Sequence, residues 1–227
     1  MGRLCLRDTL GYIGAGWRGK AAAGFLFLAS PAWAEPVTVL ALGDSLTQGY
    51  GLIEAEGFVP QLSAWLEAAG IPAVVINGGV SGQTTAGGAA QVAWSLTPEV
   101  DAMIVALGGN DLLRGIAPEV ARTNLKRIMQ EARAQDVEVL LVGLPAPSNY
   151  GAAYKAEFDA IYPDLAAEYG TALAPDFFIG LAGEEDVRAR FFQPDGIHPN
   201  AAGVTRIVEA LGPEVAALIA AAQMDAQ

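Results

Sequence analysis

The sequence predicts an α/β fold, a parallel β-sheet covered by helices on both faces. Three observations predict it. Short β-branched, apolar runs alternate with longer amphipathic ones; the short runs lack the apolar–polar alternation of strands wetted on one side; and the first three end in glycine-bearing loops. In chain order, 37–42 is a run of strand length, 58–69 an amphipathic run of helix length, and 73–76 the second strand. Residues 84–96 read as a helix and 100–107 as the third strand. Pro118 suits a helix's first turn, where a missing N–H costs nothing, so a helix is placed over 118–134. Residues 137–144 read as the fourth strand, 152–168 as one helix and 171–174 as a short fifth strand. Asn200 to Ala222 is helical, with an interruption expected at Gly212-Pro213.

Residues 1–34 have a different character. Arg3, Arg7, Arg18 and Lys20 precede the apolar run 21–29, and Ala32-Trp33-Ala34 offers a small-x-small cleavage pattern, so the segment reads as a secretory leader. The remainder, 35–227, is expected to be one domain, exported and periplasmic or secreted. The apolar run is about half the ~20 residues of a membrane-spanning helix, and no later segment is expected to reach that length uninterrupted. The only cysteine, Cys5, lies in the leader, which leaves no disulfide to hold the exported chain. The leader carries four of the 13 basic residues and one of the 25 acidic ones, so its removal moves the net charge from −12 to −15. Such a surface repels phosphate backbones and anionic lipid heads, which argues against nucleic-acid and polybasic membrane partners. Gly14-Ala15-Gly16-Trp17-Arg18-Gly19 matches the dinucleotide fingerprint but follows no strand, and it carries no cofactor role.

Ligands of open α/β sheets gather beyond the carboxyl ends of the strands. Three loops meet there: 43–51 with Ser45, 78–85 with Ser81 and Gly82, and 108–111 with Asn110 and Asp111. A serine hydroxyl becomes a nucleophile only with a base, and the chain has a single histidine. It is His198, in Asp195-Gly196-Ile197-His198-Pro199, where one turn can present a carboxylate and the imidazole together. Ser45, His198 and Asp195 thus compose a nucleophile, base and acid set. The backbone N–H groups of Ser45 and Gly82 and the side-chain amide of Asn110 are the candidate oxyanion donors, although Asn110 equally suits a helix cap. Ser81 is the rival nucleophile, less suited because its glycine neighbour fits a donor loop. One histidine and no cysteine after residue 34 leave too few zinc ligands, and the acidic run 183–186 lacks a calcium loop's spacing. No metal or cofactor is expected. Leu112, Leu113, Pro145, Tyr150, Phe191, Phe192 and Ile197 are candidate walls of an apolar pocket.

GDSL around Ser45, the glycine Gly82, GGND around Asn110 and DGIH around His198 resemble, in order, the four blocks of the SGNH hydrolases, or GDSL esterase/lipase family. The resemblance runs from about Val37 to about Ala217, and is strongest to its secreted bacterial arylesterase and thioesterase/lysophospholipase group. It implies a flavodoxin-like three-layer α/β/α fold with five strands in the order 2-1-3-4-5. It also implies Ser45 as nucleophile, His198 as base and then acid, Asp195 as its partner, and Ser45, Gly82 and Asn110 as the oxyanion hole. The expected activity is hydrolysis of short to medium acyl or aryl esters, or of thioesters or lysophospholipids, through an acyl-enzyme. Two alternatives stand beside it: a carbohydrate acetylesterase, and a non-catalytic periplasmic binding protein on the same scaffold.

Overall fold

The computed structural model describes residues 35–225, and the expected leader, with Cys5 and the 14–19 glycine pattern, lies outside them. Five strands, β1 (Val37–Gly43), β2 (Ala73–Gly79), β3 (Ala102–Ala106), β4 (Glu138–Val142) and β5 (Ala172–Ala174), form one sheet. All pairings are parallel and the order is β2-β1-β3-β4-β5, as the resemblance implies. Every residue of β3 is buried, and β1 is nearly so, which is why neither alternates in polarity. Both strands are covered on two sides.

The helices are α1 (Ser45–Gln48), α2 (Phe58–Ala68), α3 (Thr85–Ser95), α4 (Gly109–Leu113), α5 (Pro118–Ala134), α6 (Ala152–Asp159), α7 (Ile161–Tyr169), α8 (Val187–Phe191) and α9 (Ala201–Asp225). α2 packs with α9, and α3 packs with α5, which also meets α6 and α7. α5 turns Leu125, Ile128, Met129 and Ala132 inward on successive turns, the spacing of one helical face. Leu125, Ile128 and Met129 each contribute about 1.5–3 kcal/mol by this burial.

Three expectations need correction. The helix expected over 152–168 is two helices, broken at Ala160. Pro163 is the cause: it has no N–H for the Asp159 carbonyl and clashes with it, but it fits the first turn of α7. Conversely, Gly212-Pro213 does not interrupt α9. Pro213 is on the exposed side, where water can satisfy the carbonyl it releases, while a Cβ on Gly212 would lie 2.7 Å from the Trp65 ring. Uninterrupted, Ala201–Met224 has the length and apolar composition of a membrane span, contrary to expectation. In the fold, Val204, Ile207, Val208, Leu211, Val215, Leu218 and Ile219 are buried against the domain. α9 is a core helix.

Candidate active site

Ser45 opens α1, directly after β1. The sharp entry depends on what surrounds it. A Cβ at Gly43 would collide with Thr47 Oγ1 and lie 3.0 Å from the Ala106 carbonyl, and one at Gly79 would lie 2.9 Å from Asp44 O. Glycine at both positions lets β1, β2 and α1 close together. Asp44 caps the helix, its Oδ1 accepting from Leu46 N–H at 3.0 Å.

His198 arrives from the other end of the chain on the loop between α8 and α9. Gly196 N–H donates to Gln193 O at 2.9 Å, closing a turn with Pro194 and Asp195 at its centre and Gly196 at φ +67°. Proline and aspartate at those positions and glycine after them are what such a turn favours. Asp195 Oδ1 accepts from the backbone N–H groups of Ile197 at 2.9 Å and His198 at 3.0 Å, which aims Oδ2 at the imidazole. His198 Nδ1 stands 2.7 Å from Asp195 Oδ2, and Nε2 stands 2.8 Å from Ser45 Oγ. A carboxylate only accepts, so Nδ1 carries the proton and Nε2 is left to accept from the serine hydroxyl. The hydrogen bond from His198, with those from the two backbone N–H groups, holds the Asp195 carboxyl down at about 2.

The other candidates converge on the same rim. Gly82, at φ +79°, and Asn110 line one cavity with Ser45 and His198. Asn110 caps nothing: the residue capping α4 is Gly108, and Asn110 Nδ2 donates to Asp44 Oδ2 at 3.1 Å. That bond uses one of two N–H groups and leaves the other for a ligand. Burial, with Asp44 only 2% exposed, pushes its carboxyl above the usual range against the pull of the Leu46 and Asn110 hydrogen bonds. The neighbouring Asp111 is fully buried and accepts from Thr85 N–H at 2.8 Å and Thr85 O–H at 2.7 Å, tying α4 to α3. Arg114 Nη2 donates to the Gly82 carbonyl at 2.8 Å. Ser81, the rival nucleophile, bonds Gln48 Oε1 and has no histidine beside it.

Residues 41–206 match the GDSL-like lipase/acylhydrolase family. The chain belongs to that family. It is 39% identical over 183 residues to "Esterase TesA" of Pseudomonas aeruginosa, covering 80% of this chain and 89% of that protein. It is 36% identical to "Thioesterase 1/protease 1/lysophospholipase L1" of Escherichia coli, covering 78% of this chain and 82% of that one. Among solved structures it superposes on AlinE4, titled an SGNH-hydrolase family esterase, with a TM-score of 0.66, 43% identity and coverage of 81% and 96%. This GDSL-like acylhydrolase is a serine ester hydrolase.

The acylhydrolase's site opens into a largely apolar cavity of about 460 Å³. Leu112, Leu113, Pro145, Tyr150 and Ile197 line it as expected. Phe191 and Phe192 do not. Phe191 is buried in the core, and Phe192 packs on Phe178 with ring centroids 5.6 Å apart, so Phe178 is the phenylalanine that reaches the cavity. Tyr50 also lines it, its ring 4.6 Å from the His198 imidazole. Larger clefts of about 640 and 610 Å³, the second sharing Tyr50 with this cavity, contain no histidine.

Proposed function

We propose that this hydrolase cleaves acyl esters by two-step acyl transfer with Ser45 as nucleophile. Oγ bonds to the carbonyl carbon as His198 Nε2 takes its proton, and Asp195 stabilises the imidazolium that forms. The carbonyl oxygen becomes an anion facing the N–H groups of Ser45 and Gly82 and the free N–H of Asn110. The bond to the leaving oxygen or sulfur then breaks, His198 returns the proton to that atom, and an acyl-enzyme remains. Water activated by His198 attacks it, the acid departs and Ser45 recovers its proton. Each oxyanion donor is worth roughly 10²- to 10³-fold in rate.

One observation carries this reading: the unbroken line of contacts from Ser45 Oγ through His198 to Asp195. The test is a fluorophosphonate probe. Wild type is labelled and Ser45→Ala and His198→Ala are not; labelling of Ser45→Ala at the wild-type rate sinks the assignment.

The apolar cavity supports short to medium acyl or aryl esters as substrates, and the names of the relatives extend the list to thioesters and lysophospholipids. A series of nitrophenyl esters from acetyl to dodecanoyl should give a rate maximum above acetate. Activity on acetate alone, with acetylated glycans cleaved faster, favours the carbohydrate acetylesterase instead. Removal of residues 1–34 on export, leaving 35–227 as one catalytic domain, completes the reading; N-terminal sequencing of exported protein tests it.

A further inference from the structure

The loop that carries His198 is held to the core at its base, not at its tip. Asn200 N–H donates to Phe191 O at 2.8 Å, Asn200 Nδ2 donates to Arg190 O at 2.9 Å, and Phe192 pairs with Pro199 in an isolated bridge. Past that bridge, Asp195 and Ile197 are exposed. Something else must set where the imidazole stands relative to a serine 153 residues away.

Gln193 spans the gap. Its backbone N–H donates to His198 O at 2.8 Å, so it is fixed to the histidine. Its side-chain Nε2 donates to Pro199 O at 3.0 Å and to Tyr50 O at 2.8 Å. Tyr50 in turn donates its backbone N–H to Ser45 O at 3.1 Å, and its ring lies against the imidazole. Apart from the Ser45–His198 contact itself, the bond from Gln193 to Tyr50 is the hydrogen bond that joins residues 192–199 to residues 44–52 among the described residues. The Tyr50 side also makes room for it. Gly51 has φ +77°, and a Cβ there would overlap Gln193 Oε1 and stand 3.1 Å from Nε2.

We propose that Gln193 is a positioning residue: its amide brackets the histidine loop to the serine turn and sets the approach of His198 Nε2 to Ser45 Oγ. The proposal rests on the assignment of Ser45 and His198 above. Both N–H groups of the amide are used, each on a carbonyl, so the bracket resists rotation as well as separation. Gln193 is not among the residues lining the cavity. Its loss therefore acts mainly on the rate, with any small effect on affinity passing through Tyr50, and a misplacement of about 1 Å in such a pair costs on the order of 10²-fold.

The test is Gln193→Met, which keeps the length and apolar packing of the side chain and removes both donors. With nitrophenyl butyrate, kcat is expected to fall roughly 10- to 100-fold with KM within about twofold, and fluorophosphonate labelling to slow in the same proportion. Gly51→Ala displaces the same amide from the other side. The double variant is expected to be no slower than the slower single one, because both break one bracket. Wild-type kcat in Gln193→Met overturns the proposal. So does a loss of folded protein with kcat per titrated site unchanged, or multiplicative effects in the double variant. Ser45→Ala is assayed alongside: if it keeps its activity, the nucleophile assignment and the bracket fall together; if it is inert while Gln193→Met matches wild type, the bracket alone falls.

Discussion

The two halves of the site are built in opposite ways. Ser45 stands on a helix sealed into the core, flanked by Asp44 and Thr47, both buried, with glycines where β1 and β2 leave no room for a Cβ. His198 and Asp195 stand on a loop in which the Asp195 side chain is 37% exposed and the His198 side chain 16%. The serine half takes its geometry from packing, and the histidine half from hydrogen bonds within and across one loop. Substitutions that add atoms to the first half should therefore disturb folding and catalysis together. Those in the second should fall mainly on catalysis, with only a small cost in stability.

The largest effect tests the second half. His198→Ala should lower kcat by roughly 10⁴-fold while costing no more than about 1–2 kcal/mol of stability, the worth of its hydrogen bonds, read by ester kinetics and urea unfolding on the same preparation. A destabilisation above about 2 kcal/mol would erase the contrast. Gly43→Ala tests the first half. Its new methyl collides with Thr47 and approaches the Ala106 carbonyl, so it should cost about 1–3 kcal/mol of stability and lower kcat in the fraction that still folds. Full activity at full stability would show that α1 yields more easily than its packing implies.

A smaller effect concerns acid. The Asp195 carboxyl titrates near 2 in the folded chain instead of at the ordinary 3.8. A depressed value contributes stability above the ordinary one, and that contribution is lost as pH falls through the folded one. Wild type should thus be more stable than Asp195→Asn above about pH 4, and the gap should close between about pH 4 and pH 2. A gap constant over that window would mean that neither the imidazole nor the two backbone N–H groups hold the carboxylate. The smallest effect lies with Thr47, whose hydroxyl is buried without a partner. Thr47→Val keeps the shape and removes that group, so stability should stay level or rise by about 1 kcal/mol in thermal unfolding, with kcat unchanged.

The same contrast decides what could be read from the chain. Strands and glycine loops follow local rules, and Ser45, Asp195 and His198 stood out because a hydroxyl needs a base and only one imidazole exists. The break at Ala160 did not stand out, because Phe158, Ile161, Tyr162 and Leu165 keep one helical spacing straight through it, although Pro163 is the local mark of a break. Pro213 misled in the opposite sense, since only the packed structure shows its side of α9 facing water. Of the adjacent phenylalanines at 191 and 192, neither carries a mark of which wall it joins; Phe178 takes the place assigned to them. The bond from Asn110 to Asp44 spans 66 residues and that from Gln193 to Tyr50 spans 143. No periodicity reports on separations of that size.

The separation of Ser45 from His198 has one more consequence. The hydroxyl is made early in translation and its base very late, just ahead of the helix that packs against β4 and β1. A chain cut short before residue 198 would hold the hydroxyl without the imidazole and is expected to be silent toward esters, however well its first strands have collapsed. On the proposed roles of Ser45 and His198, hydrolysis is expected to begin only once the last helix has docked, so that completing the fold switches the enzyme on.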